Sequence, residues 1–112
     1  MDKMNNRDEL IEKLKRYTKD DVIMSTHAIR QTIIRPVAIE SIIENLLDPK
    51  RLGYALKEPA ERRGEEKFVC YFGYSRRLCH CYVIVINTKI LVVTAYIINR
   101  RWQKEVEKHA KL

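Results

Sequence analysis

Glycine and proline are scarce in this sequence, which has three of each among its 112 residues. A chain with so few of them has little material for long linkers. Hydrophobic residues make up 46% and charged residues 33%, a composition typical of a folded domain and not of a disordered segment. At this length the chain can bury one modest core, so we expect a single domain over residues 1–112.

Long uninterrupted apolar runs are also missing. The longest, Val83 to Ile98, is broken by Asn87-Thr88-Lys89, which predicts a hairpin turn rather than a membrane span. The charged stretch from Met1 to Lys19 shows no secretory signal. We therefore expect a cytoplasmic protein that makes no contact with a membrane.

Cysteine is limited to Cys70, Cys79 and Cys81. An odd count without a secretory signal favours reduced thiols over disulfides. The run Cys79-His80-Cys81 suggests zinc at first sight. In a strand, however, the two cysteines share one face while His80 points to the other, and no Cys-x-x-Cys knuckle is present. We expect the cysteines to be small core residues, and we predict neither a metal nor any other cofactor.

Acidic residues are outnumbered, because 15 Asp and Glu stand against 22 Lys and Arg, which gives a net charge of +7. This excess favours a polyanion such as RNA or DNA, or an acidic protein, as the partner. The alternative is a surface charge that only keeps the domain soluble.

The first half of the chain has apolar residues at helical spacing. Asn6 begins a capping-box sequence for a first helix, which forms an N-terminal extension over residues 1–20. Ser25 or Thr26 can cap a second helix, and Arg35-Pro36 ends it because the residue before proline avoids the α region. A third helix, closed by Asp48-Pro49, is marked by an apolar stripe of Ile39, Ile42, Ile43, Leu46 and Leu47.

The second half changes to a period of two, typical of strands. In the first of these strands, Leu52, Tyr54 and Leu56 are expected on one face. A last helix is expected from about Arg100 to Lys111, and Val22-Ile23-Met24 is either a short strand or an extended lead-in. Helices grouped ahead of a strand meander indicate an α+β fold, in which an antiparallel sheet of three to four strands has its helices packed on one face. The strand runs are Leu52 to Lys57, Phe68 to Tyr74, Leu78 to Ile86 and Ile90 to Ile97.

His27, in the first turn of the second helix, is the leading candidate for chemistry. RNA carries its own nucleophile, the 2′-hydroxyl, so its cleavage without metal needs a base, cations around the phosphate and an acid for the leaving oxygen. His27 would be the base or the acid. Arg30 and Arg35 would hold the phosphate, and Tyr96 would position or protonate a substrate group. The alternative is that His27 only caps the helix or bonds to the sheet.

Two arginine pairs are candidates for nucleic-acid binding. Arg76 and Arg77 lie in a predicted hairpin turn, and Arg100 and Arg101 lead the last helix. If the sheet brings them together, they form one basic patch whose natural ligands are phosphates. The alternative is that they are scattered, solvated charges.

Three features of the sequence belong together: the run Ser25-Thr26-His27-Ala28, Arg35 after it, and a strand that ends in Thr94-Ala95-Tyr96. This combination resembles a small-domain family of unknown function. That family is related to the RelE/ParE-like toxin superfamily. The resemblance covers roughly Ile23 to Lys104. It matches His27 to the helix histidine of the family, Arg35 to the arginine before its helix break, and Tyr96 to the end of its last strand.

The resemblance implies a RelE-like α+β core over residues 22–112 and a metal-independent, toxin-type RNA endonuclease that cleaves through the 2′-hydroxyl. It implies RNA as the substrate, with or without the ribosome, and an antitoxin as the protein partner. Outside the resemblance, the apolar face of the N-terminal helix offers a second copy of the chain as an alternative partner, in a homodimer. The sequence departs from the family pattern at Gln31, where an arginine is often found, and at Pro36, where the family has glycine.

Two function classes stay open at this point. The first is the RelE-like endonuclease, in which His27, Arg30, Arg35 and Tyr96 are catalytic. The second is a non-catalytic module that binds nucleic acid or protein on the same scaffold, or a degenerate family member with structural interactions only. Removal of His27 separates them, because only the nuclease would lose an activity while RNA affinity stays intact.

Overall fold

The helices and strands follow the order expected for helices grouped ahead of a meander. A computed structural model describes residues 5–34, 37–104 and 106. Over these residues the helices are α1 (Arg7–Leu14), α2 (Thr26–Ile34) and α3 (Ile39–Leu47), and residues 102–104 and 106 are helical as well. The strands are β1 (Val22–Met24), β2 (Leu52–Glu58), β3 (Glu66–Ser75), β4 (Leu78–Ile86) and β5 (Ile90–Ile98).

The strands form one mixed sheet in the order β1-β5-β4-β3-β2. Strands β2 to β5 are antiparallel neighbours, whereas β1 runs parallel to β5, with Val22 opposite Ile90. The α+β class is confirmed, but the expectation of a wholly antiparallel sheet of three to four strands is wrong. Since three residues are too few to show an alternating pattern, the sequence could not decide between a strand and a lead-in for Val22-Ile23-Met24.

The two faces of the sheet are covered differently. One of them, the helix-covered face, packs against Leu10 of α1, Ala28 of α2 and Ile42 of α3. The opposite face, the second face, is covered at one end by Trp102 and Val106. The expectation that the helices pack on one face is therefore wrong for the C-terminal helical residues.

Strand β2 changes face part-way along its length. Its register against β3 shifts between Leu52 and Tyr54, so Leu52 lies in the main core whereas Tyr54 and Leu56 pack on the second face. The prediction that these three side chains share one face is wrong, because a bulge adds one residue and reverses the alternation. Gly53 lies at the shift.

The N-cap of α2 is Ser25, one of the two residues predicted for it. Its Oγ accepts a hydrogen bond from the Ala28 N–H at 3.0 Å. Helix α1 begins directly after Asn6, as predicted, but the predicted capping box is wrong, because Asn6 makes no side-chain cap to α1. Its side-chain oxygen accepts from the Lys57 N–H at 2.9 Å instead, and so joins the start of α1 to β2.

Helix α3 ends at Leu47, directly before Asp48-Pro49, as predicted. The boundary predicted at Arg35-Pro36 and half of the predicted last helix lie outside the described residues. None of the described helices is long and apolar enough to cross a membrane.

All three cysteines are free and buried, which confirms the prediction that they are small core residues. Burial raises the pKa of Cys79 to about 12 and that of Cys81 to about 11. These thiols therefore stay protonated near neutral pH and are poor nucleophiles.

Candidate nucleic-acid interface

One end of the sheet collects basic side chains. The turn 76–77 joins β3 to β4, and the pairing of Cys79 with Ile98 brings the chain after β5 to the same end. The turn Pro49–Arg51 reaches it as well, because β2 begins opposite the last part of β3. We call this region the basic end and define it by Lys50, Arg51, Arg76, Arg77, Arg100 and Arg101.

Carboxylates do not neutralise most of the arginines at the basic end. Within residues 5–34, 37–104 and 106, none of Arg51, Arg76, Arg77 and Arg101 forms an ion pair. All four are exposed. An exposed guanidinium without an anionic partner is available for bidentate contacts to a phosphate.

Trp102 holds the chain after β5 against the basic end. Its Nε1–H donates to the carbonyl of Ser75 at 2.8 Å, and its ring lies over Gly53 and Gly73. A Cβ at Gly73 would come within 2.6 Å of the ring, so only glycine leaves room there. Because Trp102 directly follows Arg101 in the chain, this contact keeps that arginine beside the turn 76–77.

A polar cluster lies behind the basic end, on the helix-covered face, and is buried except for the half-buried Tyr74. It consists of Asn45 of α3, Tyr74 of β3, and His80 and Tyr82 of β4. The Nδ2 of Asn45 donates to both tyrosine hydroxyls at 2.9 Å, and the Tyr82 hydroxyl lies 2.8 Å from His80 Nδ1. The rings of Tyr74 and His80 are in contact, with centroids 4.5 Å apart. This connected network satisfies polar groups that would otherwise destabilise the core.

Arg51 lies over the polar cluster. Its guanidinium carbon is 4.2 Å from the centroid of the Tyr74 ring, a cation–π distance. Burial, with a further contribution from the Arg51 charge, lowers the pKa of His80 below its ordinary value of 6.5. His80 is therefore neutral near pH 7.

His27 and Arg30 are exposed on α2. The chain before α2 pairs with β5, and further along the helix the side chain of Gln31 accepts a hydrogen bond from the Ala95 N–H at 2.8 Å. Helix α2 thus runs beside β5 towards the basic end. His27 lies in its first turn, about 10 Å along the helix axis from Ile34 at the other end of the helix. Arg35, the other predicted catalytic arginine, lies outside the described residues.

Tyr96 lies on the second face, half-buried, opposite Cys81 of β4. Burial and the contact with the Cys81 thiol raise the pKa of Tyr96, which makes its hydroxyl a weaker acid than that of free tyrosine. No hydrogen bond or ring contact joins Tyr96 to His27 or Arg30 among the residues that the structure describes. The structure gathers the predicted binding arginines at one end and leaves these predicted catalytic residues apart.

The open part of the second face forms a groove of about 600 Å³. Its floor includes Val69, Val83 and Tyr96. The lysines on its rim are engaged, since Lys57 pairs with Glu66 at 2.7 Å, and Lys67 lies 3.8 Å from Glu58. This groove is mostly apolar, so it suits a polyanion less well than the basic end does.

The described residues hold no group of three or more His, Cys, Asp or Glu side chains that could bind a metal ion. Cys79 packs on the second face, whereas His80 bonds to Tyr82 on the helix-covered face. The two side chains therefore point to opposite sides of the sheet, as strand alternation predicts, and cannot converge on one ion.

Sequence reasoning missed the polar cluster, because it considered His80 only as a zinc ligand. A signal was present, however. Tyr74 continues the core-facing series of β3, and His80 and Tyr82 are the β4 residues opposite Phe72 and Cys70 of that series. Each of the three carries a polar group that needs a partner. The identity of that partner, Asn45, depends on how α3 packs on the sheet.

Comparison of the chain with protein-family models, with curated proteins and with solved structures finds no match. A function therefore has to be argued from the site itself.

Proposed function

We propose that this domain binds RNA through its basic end and cleaves it without a metal ion, as a toxin-type endoribonuclease of the RelE-like kind. The observation that carries the proposal is the convergence of Arg51, Arg76, Arg77 and Arg101 at one end of the sheet without an ion pair to any described carboxylate. Phosphates are the ligands that best match exposed, unpaired guanidinium groups.

The cleavage step is supported by the resemblance described above and by the exposure of His27. A strand of RNA that leaves the basic end along α2 would pass Arg30 and then His27. Arg30 would contact a phosphate there, and His27 would take the proton from a 2′-hydroxyl. The 2′-oxygen would then bond to phosphorus as the bond from phosphorus to the 5′-oxygen breaks, and the leaving 5′-oxygen would take a proton from water. Arg35 belongs to the same proposal through the resemblance.

A second candidate is a non-catalytic RNA-binding module on the same scaffold. It is favoured by the position of Tyr96, which lies on the face opposite to the packing face of α2, next to Cys81. In this arrangement Tyr96 supplies neither an acid nor a substrate contact next to His27, and the basic end acts alone.

The proposal includes a protein partner, an antitoxin that holds the nuclease inactive, and a cytoplasmic location. Apolar surface for such a partner is present on α2, where Ile33 is 77% and Ile34 is 78% exposed. Exposed isoleucines that lie together are typical of protein interfaces.

The binding step is tested by the salt dependence of RNA affinity. The double variant Arg76→Gln/Arg77→Gln should bind a labelled single-stranded RNA more weakly than the wild type. Because two phosphate contacts are lost, the slope of log K against log salt should decrease by about 1.4. The matched control is Arg62→Gln/Arg63→Gln, which removes two exposed arginines from the β2–β3 loop at the opposite end of the sheet. Equal losses in both variants would mean that the basic end is not the interface.

The cleavage step is tested with labelled RNA in EDTA, with and without ribosomes, for the wild type and for His27→Ala. Loss of cleavage with unchanged RNA affinity and an intact circular dichroism spectrum is the result that the nuclease predicts. RNA binding without cleavage by the wild type under either condition would favour the second candidate.

A further inference from the structure

The hydrogen bonds of the polar cluster fix the protonation of His80. The hydroxyl oxygen of Tyr82 already accepts from Asn45 Nδ2 at 2.9 Å, and its own O–H is buried and needs an acceptor. Among the described residues, the acceptor within reach is His80 Nδ1, at 2.8 Å. The Tyr82 O–H therefore donates to Nδ1, and the proton of the neutral imidazole is on Nε2.

The Nε2–H of His80 has no hydrogen-bond partner among the described residues. Every buried side-chain nitrogen and oxygen of those residues does have a partner. The Nε2 atom must therefore reach solvent, although the residue as a whole is only 9% exposed. His80 thus presents one fixed N–H donor at the protein surface.

Arg51 supplies a cation near His80, close enough for its charge to contribute to the lowered pKa of the imidazole. Its guanidinium carbon lies 4.2 Å from the centroid of the Tyr74 ring, and the Tyr74 and His80 rings are in tilted contact with their centroids 4.5 Å apart. Arg51 forms no ion pair with the carboxylates of the described residues. A neutral donor and an unpaired cation held by one aromatic ring form a small anion-binding arrangement.

We propose that His80 Nε2–H and the Arg51 guanidinium together bind one phosphate group of the RNA backbone, with His80 acting as a fixed neutral donor and not as a general base. This inference rests on the proposed function, for which it names one subsite. Asn45 and Tyr82 act as positioning residues, because they hold the imidazole in the tautomer that donates outwards.

The surroundings of His80 carry a further consequence for pH dependence. The groups that face it are Asn45 from α3, Arg51 from the turn before β2, Tyr74 from β3 and Tyr82 from its own strand, and Ile97 lies opposite it on β5. None of these groups changes charge between pH 6.5 and 8. The contribution of His80 to phosphate binding should therefore be constant over this range, whereas an imidazolium contact would strengthen as the pH falls.

The first test is nitrogen NMR on the ¹⁵N-labelled full chain. The expected spectrum at pH 7 shows His80 as a neutral imidazole with the proton on Nε2, and Tyr82→Phe should remove this preference. Titration with inorganic phosphate should shift the Nε2 resonance in the wild type and not in Arg51→Gln, a surface variant that leaves the core intact. A proton on Nδ1, a charged imidazole, or a phosphate titration that leaves Nε2 unmoved would overturn the inference.

The second test measures RNA affinity between pH 6.5 and 8. Loss of the donor in His80→Phe should weaken binding about tenfold, as expected for one hydrogen bond to a charged group, with the same ratio at each pH. Tyr17→Phe is the control, because it removes a hydroxyl that bonds to Asn87 at the opposite end of the sheet, and it should leave the affinity unchanged. An unchanged affinity in both His80→Phe and Arg51→Gln would overturn the inference and leave the proposed function standing. Phosphate binding at Nε2 without any RNA binding by the wild type would overturn the proposed function and leave an anion site at His80 and Arg51 standing.

Discussion

Gly73→Ala should displace Trp102, the single tryptophan of the chain, from its packed position against the sheet. The added Cβ would lie 2.6 Å from Cζ2 and 3.3 Å from Cη2 of Trp102. Because the indole is rigid, the ring has to move as a whole. Overpacking of this kind costs about 1–3 kcal/mol, and loss of the hydrogen bond from Nε1 to Ser75 costs about 1 kcal/mol more. We expect the free energy of unfolding to fall by about 2–4 kcal/mol.

Trp102 itself reports the result, because it is the only tryptophan among the 112 residues. The side chain is 8% exposed in the wild type. In Gly73→Ala its fluorescence emission should move to longer wavelength as the ring reaches water. The midpoint of thermal unfolding should fall by roughly 8–16 °C, given about 4 °C for each kcal/mol in a domain of this size.

Two other glycines provide a graded control. Gly53→Ala places its Cβ 3.0 Å from the same ring, so the effect should have the same direction and be smaller. Gly64 has a φ of 86° and no neighbour within 4 Å. Alanine there should cost about 1–2 kcal/mol through backbone strain and leave the emission unchanged. Wild-type emission and wild-type stability in Gly73→Ala would refute the packing of Trp102 over this glycine.

Three further predictions concern the core and its rim. Asn45→Ala should lower the free energy of unfolding by about 2–4 kcal/mol in urea titrations, because two hydrogen bonds are lost and the buried Tyr82 hydroxyl loses its donor; a loss below 1 kcal/mol would contradict the network. The hydrogen bond from Lys13 and, to a smaller extent, the one from Lys57 hold the pKa of Glu66 below its ordinary value of 4.5. The ionised carboxylate therefore stabilises the fold above pH 4.5, and this stabilisation is lost as the pH falls through the lowered pKa of the folded state. Glu66→Gln should flatten the acid side of the stability curve, and a curve parallel to that of the wild type would argue against the pairing. The three buried thiols should react with a thiol reagent at pH 8 only as fast as the protein unfolds, and rapid reaction of the native protein would show that they are accessible.

The elements that could be predicted from sequence are those whose signal lies within a few residues. The apolar stripe from Ile39 to Leu47 marks α3 without help from the rest of the chain, and the cap at Ser25 needs only the three residues after it. The alternation in β3 also predicts its two faces, since Phe72 lies in the main core and Tyr71 on the second face.

Features that depend on distant partners could not be predicted in the same way. Strand β1 is defined by its pairing with β5, and the bulge in β2 lies at Gly53, close to the ring of Trp102. The convergence of the arginines depends on strand order, which the sequence does not show. The polar cluster combines α3 with two strands, so the sequence alone does not show that Asn45 and His80 both bond to Tyr82.

The parallel pairing of β1 with β5 also constrains the order in which the chain can fold. Val22 pairs with Ile90, so during synthesis β1 leaves the ribosome long before its partner exists. The antiparallel hairpins of β2 to β5 close over short loops and can form first, whereas the contact between β1 and β5 carries the entropy of closing a long loop. Until that contact forms, the edge of β5 stays open to pairing with another chain. The docking of the N-terminal strand is therefore the step at which a slow-folding chain would be most exposed to aggregation.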